Sequence, residues 1–116
     1  MLDKPLFWLG SSRNDLKVFP RDARRVAGFQ LRRVQQGLEP NDWKPMPAVG
    51  PGVREIRIHT GLAHRVFYVA KFTEGVYVLH AFEKRTRKTP KRELELARDR
   101  FRALTLKQRT DNSTER

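Results

Sequence analysis

Between Val53 and Lys84 the chain carries three strand-like stretches whose connections are too short for anything but antiparallel neighbours, and no other feature constrains the fold as much. Val53 to His59, His64 to Phe72 and Val76 to Lys84 mix apolar and polar residues with the two-residue period of half-buried strands. Gly61 and its neighbours join the first pair, and Thr73, Glu74 and Gly75 make a tight turn between the second pair. A three-stranded antiparallel meander follows. In its third strand, strict alternation predicts Val76, Val78, His80, Phe82 and Lys84 on one face and Tyr77, Leu79, Ala81, Glu83 and Arg85 on the other.

The flanking segments have their own periods. Residues 5–9, PLFWL, closed by Gly10, predict a first strand near the sheet's edge. Ser11 or Ser12 can cap a helix through RNDLKVF, with Leu16 and Phe19 facing inward. Pro20 restarts the chain into a second helix, where Asp22 suits the positive end. That helix runs to about Gln36 with Ala23, Ala27, Leu31 and Val34 as its buried stripe, and Gly37 stops it. Arg24, Arg25, Arg32 and Arg33 fall mostly off the stripe. The linked helices are expected to cover one face of a small sheet. Residues 37–52 hold four prolines and three glycines, which disfavour helix and strand alike, so they read as a surface loop with Trp43 or Met46 tucked beneath. Thr89 and Pro90 open a last helix to about Leu106, with Leu94, Ala97, Phe101 and Leu104 facing inward. The expected class is α+β: N-terminal strand, helical hairpin, three-stranded meander and C-terminal helix in one domain over residues 1–106. Residues 107–116 are expected to form a polar, mobile tail.

From Lys84 to Arg92, six of nine residues are Lys or Arg and none is acidic. The whole chain carries a formal charge of +12 over 116 residues. Such an imbalance calls for a polyanion to offset self-repulsion. No apolar run approaches the roughly 18 residues of a spanning helix, and MLDKPLFWLGSS lacks the pattern of a secretory signal, so the cytoplasm is the expected location and a membrane is not an expected partner. The absence of cysteine excludes disulfides, thiol catalysis and thiolate metal sites.

The first meander strand puts Glu55, Arg57 and His59 on one face, with Ile56 and Ile58 on the other. His64 and Arg65 open the second strand, so Arg57 or His59 can approach Arg65 across the pair. Like charges that close call for an anion between them. Cleaving RNA without metal needs a proton carrier for the ribose 2′-hydroxyl and cations around the phosphorus. His80 is the candidate for proton transfer, because an unperturbed imidazole titrates near about 6.5. Arg57, Arg65 and Arg85 are candidate charge stabilisers, and Lys84 a clamp, or a base if crowding cations lower its pKa. Arg54, Arg87, Lys88, Lys91 and Arg92 are candidate RNA contacts. A two-metal site needs converging carboxylates, and Arg54 to Arg92 holds only Glu55, Glu74 and Glu83. His59 and His64 lack a third ligand, so no metal or cofactor is expected. The plain structural readings are that His80 is a hydrogen-bonded core residue, that Arg57 and Arg65 form exposed ion pairs with Glu55, and that the basic run is a solvated loop or a docking surface for an acidic protein. Trp8, Trp43 and Phe101 read as core.

SSRNDLKVFP, GVREIRI, HRVFYVAKF and YVLHAFEKRTRKTPKRELELA, over roughly residues 6–104, resemble the RelE superfamily of bacterial toxins and within it the phage-related, HigB-like branch. The motif VLHAF-x-K-[KR]-T followed by K-T-P carries most of the likeness. The resemblance implies a RelE-like fold with helices packed on a small sheet. It also implies a ribosome-dependent, metal-independent mRNA endonuclease acting by 2′-hydroxyl attack, and a toxin of a type II toxin-antitoxin system. Its implied partners are mRNA on the ribosome, ribosomal RNA and a cognate antitoxin that is a small helix-turn-helix protein. In such toxins the active residues lie on the concave sheet face. Arg65 matches the arginine opening the second meander strand, Arg85 that of the basic pair ending the third, and Arg57 the cationic position of the first. His80 matches the histidine of VLHAF. Many relatives use a tyrosine beyond the basic pair, where this chain has Lys91 or Arg92. The competing reading is a noncatalytic RNA- or protein-binding module on the same fold. A DNA-binding regulator ranks last, because no helix-turn-helix pattern follows the second helix.

Overall fold

In chain order the elements are β1 (Leu6–Trp8), α1 (Ser12–Lys17), α2 (Arg21–Gln35), β2 (Trp43–Pro45), β3 (Val53–Thr60), β4 (Leu62–Val69), β5 (Val76–Lys84) and α3 (Lys91–Thr114). They belong to a computed structural model that describes residues 3–114, with side chains described to residue 110. The strands form one mixed sheet in the order β1-β5-β4-β3-β2. Its centre is the predicted meander. Gly61, at φ 110, turns β3 into β4 so tightly that Thr60 pairs with Leu62; a side chain would be strained there. β1 lies at the edge, parallel to β5 and paired through Leu6–Val76, Phe7–Tyr77 and Trp8–Val78.

Two apolar layers sandwich the sheet. On one face Leu16, Phe19, Ala23, Ala27, Leu31 and Val34 of the first two helices and their linker pack against Ile56, Ile58, Val66, Tyr68, Val76, Val78 and Ala81. That is the predicted inner stripe of the hairpin. On the other face Ala97, Phe101 and Leu104 of α3 meet Phe67, Val69, Leu79 and Phe82, with Met46 and Val49 filling in from the loop. Each large side chain so buried contributes about 1.5–3 kcal/mol relative to leaving it in water. α3 thus takes the face opposite the hairpin.

Four local expectations are corrected. Trp43–Pro45, inside the stretch read as pure loop, pairs with Arg54–Ile56 as the edge strand β2; an edge tolerates Pro45 because its missing N–H faces away from the ladder. β4 stops at Val69 and not at Phe72. α3 continues past Leu106 to Thr114; the end of the expected tail, residues 115–116, lies outside the described residues. The alternation in β5 slips once: Phe67 pairs with His80 while Tyr68 pairs with Val78, leaving Leu79 bulged without a partner. Val76 and Val78 therefore face the helical hairpin, whereas Leu79, His80 and Phe82 face α3. Among the described residues no helix is long and apolar enough to cross a membrane.

Candidate functional site

Glu55 lies opposite Lys44 of β2 and Phe67 of β4, and its side chain is fully buried. Its Oε1 is 3.4 Å from Arg57 Nε, 3.6 Å from Arg65 Nε and 3.9 Å from Lys44 Nζ. A buried carboxylate needs such company, because an isolated charge in a low-dielectric interior is strongly disfavoured. Arg57 and Arg65 face one another across the β3–β4 pair, as their spacing predicts. The anion expected between them is supplied by the chain itself. Nor are these ordinary exposed pairs: the Arg65 side chain is only 8% exposed, while Arg57 at 36% and Lys44 at 42% open the cluster to solvent.

Two atoms in this cluster, Glu55 Oε2 and Arg65 Nε, are buried without a hydrogen-bond partner among the described residues. Both atoms are out of reach of solvent, and Arg65 Nε keeps only its 3.6 Å ion pair with Glu55 Oε1, so the pair carries the cost of unmade hydrogen bonds inside the fold. Burial draws the Arg65 pKa below its ordinary value, with Glu55 opposing the fall and Arg57 adding to it.

Lys84 completes the group. It ends β5 opposite Ala63, one residue pair beyond Arg65 on the same face. Burial lowers its pKa first, and the positive charges of Arg65, Lys44 and Arg57 lower it further against the pull of Glu55.

Arg85 does not join them. Its Nε donates to Glu83 Oε2 at 2.7 Å, its side chain is 81% exposed, and it lines a groove shared by Phe19 and Pro20 from the hairpin and His80 and Glu93 from the other side. β5 ends at Lys84, so the strand holds Lys84 on the face of Arg65 while Arg85 lies just beyond it, paired with Glu83. Arg54 is on the hairpin side, opposite Tyr68, with its guanidinium 4.1 Å over the Trp43 ring and 3.8 Å from Glu39. Arg87, Lys88, Lys91 and Arg92 stay exposed in the segment that leaves Lys84, where they extend the positive rim. Lys91 is 3.8 Å from Glu95.

His80 is engaged elsewhere. Its Nε2 lies 3.1 Å from Glu93 Oε1 and its Nδ1 lies 3.4 Å from Arg100 Nη1, while the ring stacks on Phe82 with centroids 5.2 Å apart. A guanidinium only donates, so Nδ1 accepts and Nε2–H donates to Glu93; both nitrogens are taken by α3. That is the hydrogen-bonded core role, and it joins β5 to the helix covering the lower half of the face. Phe82, not His80, stands opposite Arg65.

The sequence reading missed Lys44 and gave Glu55 only a bystander's part. Lys44 was hidden in a Pro/Gly stretch, while the alternation of β3 had already put Glu55 beside Arg57. His59 pairs with Asp42 at 3.3 Å on the surface, and His64 is core, packed on Phe19. Among the described residues no three histidine or carboxylate side chains come together as a metal site requires. Residues 14–102 match the model of a family described as phage-derived protein Gp49-like. No curated protein matches significantly.

Proposed function

We propose a toxin-like, RNA-cleaving role for this chain, which belongs to the phage-derived Gp49-like family, a RelE-type, toxin-like family. RelE-type toxins are endoribonucleases. The observation that carries the reading is the meeting of Lys44, Arg57, Arg65 and Lys84 from four neighbouring strands on one face of the sheet, around buried Glu55. Four cations against one carboxylate leave a net positive patch, the sign of charge a phosphodiester needs.

In this reading Arg57 and Arg65 hold the scissile phosphate and stabilise charge growing on its oxygens, which arginine does well and catalyses poorly in any other way. The 2′-oxygen bonds to phosphorus as the bond to the 5′-oxygen breaks, giving a 2′,3′-cyclic phosphate and a 5′-hydroxyl. Lys84 is the proton carrier, since its lowered pKa makes the neutral amine easier to reach; the proton it takes from the 2′-hydroxyl is balanced by one that water gives to the leaving oxygen. His80 positions β5 against α3 and touches no substrate. The substrate is mRNA on the ribosome, the inhibitor a cognate antitoxin of the small helix-turn-helix kind, and the branch HigB-like, as the VLHAF motif suggests.

Induced expression without an antitoxin is expected to arrest growth and to leave mRNA ends bearing cyclic phosphate. Arg65→Ala and Lys84→Arg are each expected to lower cleavage by about 10²–10⁴-fold; Arg65→Ala also strands buried Glu55, so its unfolding midpoint is measured beside its activity, whereas Lys84→Arg keeps the charge and RNA binding but cannot release its proton at neutral pH. Arg85→Ala, outside the cluster, is expected to cost less than tenfold. Equal cleavage by folded Arg65→Ala removes the cluster from the mechanism. The second reading, a noncatalytic RNA- or protein-binding module, draws on Glu55 occupying the space between the arginines and on His80 being fully bonded. It predicts salt-sensitive RNA binding with no cut product.

A further inference from the structure

Attack by a 2′-hydroxyl gives up one proton, and the leaving 5′-oxygen takes up another. Displacement in line puts those two oxygens on opposite sides of the phosphorus, so a base and an acid serve it best from opposite sides. Lys84 is the base in the reading above, and the second proton comes there from water. The register of the sheet shows what stands across from Lys84. Arg57, Arg65 and Phe82 form one row on the face of Glu55; His59, Ala63 and Lys84 form the next. His59 and Lys84 are thus two strand spacings apart, roughly 10 Å between backbones, with only the methyl group of Ala63 between them and the arginines alongside.

The surroundings of His59 suit a proton donor. The Arg57 backbone N–H donates to the Asp42 carbonyl at 2.9 Å, which ties the segment before β2 to β3, and the Asp42 carboxylate comes to 3.3 Å from His59 Nε2. Among the described residues the imidazole has no other polar partner, so Nδ1 is open to a substrate. A carboxylate on one ring nitrogen holds the ring in one orientation while the other nitrogen handles the proton. The pair does little for the fold: His59 is 59% exposed and Asp42 49%, and ion pairs so open to water contribute little to stability. Neither Glu55, fully buried, nor the arginines, which keep their protons at neutral pH, can take that part.

We infer that His59 is the acid of the reaction, a catalytic residue that protonates the leaving 5′-oxygen from its imidazolium while Asp42 holds the ring. Lys84 takes the 2′-hydroxyl proton, the 2′-oxygen bonds to phosphorus, the bond to the 5′-oxygen breaks, and that oxygen takes the proton of His59 in place of one from water. Lys84 is left as ammonium and His59 neutral, and exchange with solvent returns both to their starting forms. Asp42 touches no substrate and is a positioning residue. The inference rests on the RNA-cleaving reading above and assigns the second proton of that reaction.

The test uses the full chain and translating ribosomes programmed with two synthetic mRNAs. One is ordinary; in the other the 5′-oxygen at the cut linkage, mapped first with the unaltered protein, is replaced by sulfur, which leaves as thiolate without needing a proton. His59→Gln is expected to keep the parent's unfolding midpoint, to cut the ordinary mRNA about 10²–10⁴-fold more slowly, and to cut the sulfur-linked mRNA at the parent's rate. Asp42→Asn is expected to show a smaller loss with the same recovery, whereas Lys84→Arg stays slow on both. A folded His59→Gln that cuts ordinary mRNA at the parent's rate overturns the inference. So does one equally slow on both mRNAs, which makes His59 a phosphate contact and no acid; either result leaves the cleavage proposal standing. If the unaltered protein cuts neither mRNA, the cleavage reading fails and the acid with it.

Discussion

Glu55 is the residue on which the site's stability turns. Fully buried, it faces Arg65, itself almost out of solvent, and removing one member of such a pair strands the other. Glu55→Gln is therefore expected to cost about 3 kcal/mol, read by urea unfolding, and Arg65→Gln in the same chain to restore much of it. Additive losses in the double variant would show that the two charges are not coupled. His64 gives a pH signature of a different origin. Burial lowers its pKa below the ordinary 6.5, with Glu83 and the Leu62 backbone opposing. As pH falls below 6.5 the unfolded chain takes a proton that the folded chain refuses, so stability drops until the folded pKa is passed. His64→Phe is expected to flatten the fall in melting temperature between about pH 7 and pH 5. A variant that melts in parallel with the parent across that range would place the titration elsewhere.

At the scale of elements, β5 and α3 decide what the sheet presents. The bulge at Leu79 changes the phase of β5 midway, so its first half serves the hairpin core and its second half turns Phe82 and Lys84 towards the arginines. Helix α3 then closes the lower part of that face, joined to β5 through Glu93, His80 and Arg100, whose Nη1 also donates to the Leu79 carbonyl at 2.8 Å. The residue 46–50 loop completes this layer. Gly50 lies so close to Phe101 that a Cβ would overlap the ring. Gly50→Ala is expected to destabilise the protein by about 1–3 kcal/mol through this clash. Phe101→Leu in the same chain should recover part of the loss, and thermal unfolding of the single and double variants measures it. A neutral Gly50→Ala would mean that α3 sits less tightly than the packing shows.

Across the whole molecule the two sides of the sheet carry different kinds of positive charge. One side has a concentrated cluster around a buried carboxylate; the other has exposed arginines spread along α2. A formal charge of +12 with both arrangements present is easier to reconcile with a large polyanion than with a small substrate alone. The meander, the helix stripes and the convergence of Arg57 with Arg65 were legible in the chain, because each follows from periodicity and turn chemistry within a few dozen residues. The local sequence carried no sign of the bulge, which is set by how β5 must satisfy two different cores at once. Lys44 was illegible for a related reason: Pro45 and Pro47 mask a strand that exists only because β3 offers it an edge. What the sequence alone determined was the order of elements and the supply of cations; what the tertiary structure decided was that Lys84, and neither Arg85 nor His80, stands with Arg65 around Glu55, because side-chain parity and burial depend on contacts between segments far apart in the chain.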